Sequence, residues 1–228
     1  MSSNNSLDFI HFVIKENILK FGSFKVKSGR YSPYFFNSGL FNNGISISSL
    51  ANFYAKTLLH SNIKFDVLFG PAYKGIPLVT ATAMMLGNFN KISKSNYSIG
   101  FAFNRKEEKN YGEKGLIIGH PLKGKVVIVD DVITAGNSVA KSIEMIRSYG
   151  AEPVAVLIAI DRMERYKINN ILSKNSASEE ITKIYGIPVL SIASILDILQ
   201  IIKNDKILMK HYNSIIAYLL KYGIVHQK

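Results

Sequence analysis

Two stretches, KVVIV (residues 125–129) and VAVLIAI (154–160), are apolar at every position. A strand with one wet face alternates apolar and polar side chains, so unbroken runs of this kind predict strands covered on both faces. Between them, residues 137–149 set Val139, Ile143 and Ile146 on one side at helical spacing, and Gly150 ends the segment. Strand, helix and strand in this order make the two strands parallel neighbours with a right-handed crossover. The expected class is α/β, a central, mainly parallel sheet flanked by helices.

The rest of the chain supplies the other pieces. Residues 7–21 carry Ile10, Val13, Ile14, Ile18 and Phe21 on one side, after Ser6 and Asp8, and predict an opening amphipathic helix. The segment 24–37, with Gly29 and Pro33, predicts a hairpin or irregular strands, and 46–59 a second helix. FDVLFG (65–70) reads as a strand, PAYKG as a turn and IPLVTATAMML (76–86) as a helix with Pro77 in its first turn. SIGFAF (98–103) is a strand, followed by RKEEKNYGEKG (105–115), which taken alone reads as a solvated loop. Beyond 161 come a polar stretch, a short helix at 179–185, an edge strand at 187–192 and two helices. With 228 residues, 47% of them hydrophobic, one domain can bury a full core.

Composition excludes several kinds of chemistry. There is no cysteine, so disulfides, thiolate metal sites and cysteine nucleophiles are ruled out. The five histidines are scattered without a close pair, and no zinc site is expected. The longest apolar run is VAVLIAI, far short of the ~20 residues that span a bilayer. Residues 1–15 lack a basic start and an apolar signal core, so a cytoplasmic protein without membrane partners is expected. The net charge of +12 suits a polyanion or a phosphorylated small molecule. The basic residues are spread along the whole chain, which does not point to nucleic acid.

Chemistry concentrates in DDVITAGNS (130–138), between KVVIV and its helix. Two carboxylates at the C-terminal end of a buried strand stand where open α/β sheets bind ligands. Thr134, Ala135, Gly136, Asn137 and Ser138 then form a small-residue turn into a helix N-terminus. Such a turn aims backbone N–H groups and a helix dipole at one spot, which suits phosphate. Carboxylates beside an anion call for hydroxyls or a magnesium ion, and a phosphosugar brings phosphate and hydroxyls together. Asp130 and Asp131 as ordinary turn and capping residues is the competing reading. Neither a Walker lysine nor GxGxxG is present.

VVIVDDVITAGNS resembles the phosphoribosyl-diphosphate (PRPP) motif of type I phosphoribosyltransferases. FGSFKVKSGRYSPYFFNSGLF (21–41), LFGPAYKGIPL (68–78), FNRKEEKNYGEKG (103–115) and AIDRMER (159–165) resemble four further signatures of the orotate-using family, in its order and spacing. The resemblance implies a type I fold in one domain over 1–228. A small hood would come from the N-terminal region and residues 24–45, a core from 46–192, and C-terminal helices from 193–222. It implies magnesium-dependent transfer of the phosphoribosyl group from PRPP to N1 of orotate, in pyrimidine synthesis.

By the same resemblance, Asp130 and Asp131 address the ribose hydroxyls and Val132, Ile133 and Thr134 through Ser138 line the PRPP site. Tyr73 and Lys74 bind the diphosphate. Orotate lies against the backbone of Phe35 and Phe36, near Lys27 and Thr134, with Arg162 pairing its carboxylate. Arg105, Lys106 and Lys109 belong to a mobile catalytic loop that crosses a homodimer interface, and Lys27 and Lys109 are among the catalytic residues. Tyr111 stands where the family often has histidine, and a neutral phenol cannot carry histidine's charge. Magnesium is implied to ride on the diphosphate and water, without direct protein ligands. The competing functions are transfer to another base and a nucleic-acid-binding sensor of PRPP.

Overall fold

The computed structural model describes residues 4–26, 29–92, 98–109, 115–133, 137–168 and 171–224. Helix α1 (Asn4–Lys15) buries Phe9, Ile10 and Val13. Strands β1 (Leu19–Lys25) and β2 (Tyr31–Phe36) pair antiparallel as a hairpin. Helix α2 (Gly44–His60) starts on Asn43, whose side chain accepts from the N–H groups of Ile45 and Ser46. After β3 (Val67–Gly70) and α3 (Gly75–Ile92) come β4 (Gly100–Lys109), β5 (Gly115–Gly119) and β6 (Lys125–Val129). Helix α4 (Asn137–Ser148) then leads to β7 (Glu152–Asp161). The chain continues through the hairpin β8 (Arg165–Ile168) and β9 (Ile171–Ser176), then α5 (Ala177–Tyr185) and β10 (Val189–Ser194). Helices α6 (Ile195–Asn204) and α7 (Tyr212–Tyr222) complete it.

Six strands form one sheet in the order β10-β7-β6-β3-β4-β5. Every neighbour pair is parallel except β4 with β5. The two apolar runs are adjacent, and Val126 to Val129 and Ala155 to Ile160 are almost wholly buried. One core layer packs α1, α2, α3 and α6 against the sheet; the other gathers Val139, Ile143 and Ile146 of α4 with Ile181 of α5. From β3 the chain adds strands on one side, then β6 returns to the other side of β3. The order therefore reverses between β3 and β6, which is where ligands bind in open α/β sheets.

Four expectations from sequence are corrected. The opening helix stops at Lys15, because Asn17 takes a left-handed turn (φ 56°) and β1 follows. Ile18 kept helical spacing only because helix and strand deliver side chains to the same core. The charge run is not all loop: Arg105 to Lys109 continue β4, and GLIIG forms its partner β5. The polar stretch after 161 holds the β8–β9 hairpin. The edge strand lies two residues later than expected, at Val189–Ser194, since Pro188 has no N–H to give a ladder and only accepts from Val156.

Candidate active site

The site forms where the C-terminal ends of β3, β6 and β7 meet the β1–β2 hairpin. β3 ends at Gly70, and the chain turns back so tightly that a Cβ on Gly70 would lie 2.2 Å from the Gly75 carbonyl oxygen. Only glycine allows this approach, and it sets Tyr73 and Lys74 at the sheet's ligand edge. Tyr73 is 70% exposed, and the N–H of Ala72 is held by Asn104 Oδ1 at 3.0 Å.

Asp130 and Asp131 follow β6 directly, at 8% and 7% exposure. Lys74 Nζ donates to Asp131 Oδ2 at 2.8 Å and to Ser38 Oγ at 3.0 Å. Ser38 also donates to Asp131 Oδ2, while Asp131 Oδ1 accepts from Val132 N at 2.9 Å. Asp130 Oδ1 accepts from Asp131 N at 2.9 Å, and Ser138 Oγ lies 3.5 Å from Asp130 Oδ2. From α2, the buried Tyr54 hydroxyl donates to the Asp130 carbonyl at 2.8 Å and fixes the strand end. Burial, with Asp131 beside it, raises the Asp130 carboxyl from 3.8 to about 7, against the opposing pull of the Asp131 N–H, Lys74 and Ser138.

At the hairpin side, Arg162 follows β7. Its Nη2 reaches Ser32 Oγ of β2 at 3.3 Å, and its guanidinium lies 4.7 Å from the centre of the Tyr34 ring. Three residues along β2 from Ser32, Phe35 is 37% exposed and stacks on Phe24, and Phe36 is buried in the core. Arg162 is also paired with Glu164, Nη2 to Oε1 at 2.5 Å. The guanidinium expected to meet a substrate carboxylate already holds one within the chain.

The structure thus bonds Lys74 to Asp131, with Asp130 next to it at the end of β6, sets Tyr73 beside Lys74, and joins Arg162 to the strand of Phe35 and Phe36. Ile133 is buried, Val132 half-buried, and Asn137 and Ser138 open α4. Arg105 is half-buried and Lys106 exposed on β4, and Lys109 is its last residue. Lys27, Tyr111, Thr134, Ala135 and Gly136 lie outside the described residues, as do the side chains of Lys109 and Asn137. Sequence reading missed Ser38, Tyr54, Asn104 and Glu164. Ser38, Asn104 and Glu164 lie inside the quoted signatures; Tyr54 looked like any apolar-face residue of its helix.

A model of the phosphoribosyl transferase domain matches residues 40–191, two thirds of the chain. Orotate phosphoribosyltransferase of Bordetella avium is 56% identical over 97% of this chain and all of its own length. That of Bordetella bronchiseptica is 54% identical over 98% and 99%. The chain belongs to the orotate phosphoribosyltransferases. It is a transferase of that family, with the type I phosphoribosyltransferase fold. The crystal structure of the orotate phosphoribosyltransferase of Francisella tularensis, 39% identical, superimposes with a TM-score of 0.79 over 95% of this chain and 99% of that one. Among the described residues, no helix of this orotate phosphoribosyltransferase is long and apolar enough to cross a membrane.

Proposed function

We propose that the protein transfers the 5-phosphoribosyl group of PRPP to N1 of orotate, giving orotidine 5'-monophosphate and diphosphate for pyrimidine nucleotide synthesis. The observation that carries this reading is the contact of Asp131 with Lys74 at the switch point between β3 and β6. It sets acceptors for ribose hydroxyls and a cation for diphosphate one hydrogen bond apart. The names of the relatives supply the base. In the reaction the C1–oxygen bond to diphosphate breaks as N1 of orotate bonds to C1, and the N1 proton is released. Negative charge grows on the leaving diphosphate. In this reading Lys74 and Tyr73 receive that charge, with Arg105, Lys106 and Lys109 closing from β4.

In the same reading, the turn of Thr134, Ala135 and Gly136 with Asn137 and Ser138 holds the 5'-phosphate at the α4 N-terminus. Val132 and Ile133 line the PRPP site, with Tyr111 a further diphosphate donor. Orotate lies along Phe35 and Phe36, close to Lys27 and Thr134, with its carboxylate on Arg162. Magnesium fits the donor chemistry at Asp130 and Asp131, which are hard oxygen ligands, but both Asp131 oxygens already accept hydrogen bonds. The ion would therefore travel mainly on diphosphate and water, where it neutralises the leaving group. We further propose a homodimer that shares the β4–β5 loop between subunits. The cysteine-free composition suits the cytoplasm.

With PRPP, magnesium and orotate present, orotate's ultraviolet absorbance should decline as diphosphate is released in equal amount. Turnover of hypoxanthine or adenine with orotate inert would overturn the proposal. A second expectation follows from Asp130. Its ionised form is the better acceptor for ribose hydroxyls, so the KM for PRPP should fall as pH rises through about 7. Stability moves the other way: between pH 3.8 and about 7 folded Asp130 keeps a proton that the unfolded chain has lost, so its contribution shrinks as pH rises. Asp130→Asn should flatten both trends; an unchanged KM profile in that variant would remove Asp130 as their source.

A further inference from the structure

Behind the base end of the site, Glu164 stands where three elements meet. Its Oε1 accepts from Arg162 Nε at 2.8 Å, from Arg162 Nη2 at 2.5 Å and from the Tyr218 hydroxyl of α7 at 3.0 Å. Its Oε2 lies 3.8 Å from Nη1 of Arg30, at the foot of the β1–β2 hairpin. The side chains of Arg30 and Arg162 are 13% and 12% exposed and that of Glu164 is 21% exposed. Two nearly buried guanidiniums therefore share one carboxylate.

That arrangement is incomplete. Desolvated cations are costly unless each is paired and hydrogen-bonded, and this cluster holds one more positive charge than negative. Among the described residues, Arg30 Nη1 and the hydroxyl of Tyr34 have no hydrogen-bond partner, although both are buried in the same cluster. Burial raises the Tyr34 phenol well above its usual range, so its hydroxyl stays a donor in want of an acceptor. Spare donors and a surplus charge at one spot call for an anion.

The geometry of Arg162 says how that anion would be met. Glu164 engages Nε and Nη2, the side-on edge of the guanidinium, and leaves Nη1 outside the pair. A planar fork held along one edge has its other edge fixed in direction as well. We propose that Glu164 is a positioning residue for base binding: it clamps Arg162 so that Nη1, which neither Glu164 nor Ser32 holds, faces the carboxylate of orotate, which supplies the negative charge the Arg30–Arg162–Glu164 cluster lacks. This rests on the reading of Arg162 as the orotate-carboxylate residue. Through Tyr218, the clamp also ties the C-terminal helix to base affinity.

The test compares Glu164→Ala and Glu164→Gln with the unaltered enzyme in steady-state assays that vary orotate and PRPP separately. Losing a charge-assisted hydrogen bond should raise the orotate KM about tenfold in Glu164→Ala. Glu164→Gln keeps an acceptor for Arg162 and should recover part of that loss. The KM for PRPP should stay within about twofold and kcat should change little, a split that general loosening of the fold would not produce. Should Glu164→Ala fail to fold, Glu164→Gln and Tyr218→Phe carry the test, each with a smaller rise confined to orotate. Equal rises for both substrates, or a lower orotate KM because Glu164 competes with the substrate, would overturn the inference. Arg162→Lys separates the two levels. If it raises the orotate KM while Glu164 variants do not, only the clamp fails; if it leaves the orotate KM unchanged, the reading of Arg162 fails too.

Discussion

Asp131→Ala is expected to lower kcat/KM for PRPP by about a hundredfold to ten-thousandfold. That range corresponds to losing two charge-assisted hydrogen bonds of about 1.5–3 kcal/mol each. One is the bond that Asp131 would accept from a ribose hydroxyl. The other is its present bond from Lys74, whose side chain is 63% exposed and whose ammonium has this carboxylate and Ser38 to hold it in place. Without Asp131 the lysine is free to swing into solvent, and the turn that carries it loses its tie to the end of β6. Asp131→Asn keeps the shape and one acceptor oxygen and should fall between the two. Steady-state kinetics with varied PRPP reads the effect, with circular dichroism to establish folding. A folded Asp131→Ala enzyme that loses less than tenfold would remove this residue from the site.

Lys109→Ala should reduce kcat by about a hundredfold, the usual loss when one donor to a developing anion is removed, while the orotate KM moves little. Lys109 ends β4, and its ladder partner is Gly115 of β5, so the strand pair delivers it to the tip of an extension of the sheet. If that extension serves the neighbouring subunit, mixing Lys109→Ala with an Asp130→Ala, Asp131→Ala double variant should restore activity. In a two-fold dimer of equal parts, about a quarter of all sites would then be intact. No recovery after verified subunit exchange would assign each loop to its own chain. An unchanged kcat in Lys109→Ala would take the residue out of catalysis.

The sheet was legible in the sequence because burial on both faces leaves a mark in every position. KVVIV became β6 residue for residue, and the helix after it ends within one residue of its expected stop. The place of the two carboxylates was legible for a similar reason: they follow KVVIV directly, at the end of a strand that the sequence marks plainly. The contacts that complete the site were not. Ser38 reaches Asp131 across 93 positions and Arg162 reaches Ser32 across 130, and no local pattern encodes such meetings. β4 was cut short because Arg105, Lys106 and Glu107 look like loop residues, although on an edge pair charged side chains are ordinary. The hairpin β8–β9 stayed hidden because Lys174, Asn175 and Ser176 lack the alternation of a half-buried strand.

Asn104 sits at the root of the strand pair that carries the charged tip. Beside it the register slips: five steps along β4, Asn104 to Lys109, answer to two along β5, Ile117 to Gly115. The same residue holds the turn after β3 through Ala72 N and its own strand through the Arg105 carbonyl. One side chain therefore holds both the root of the strand pair and the turn that carries Tyr73 and Lys74. If the pair moves as the proposed role of Lys109 requires, any swing about that root must stretch, break or carry along the bond to Ala72, and so couples that movement to the position of Lys74.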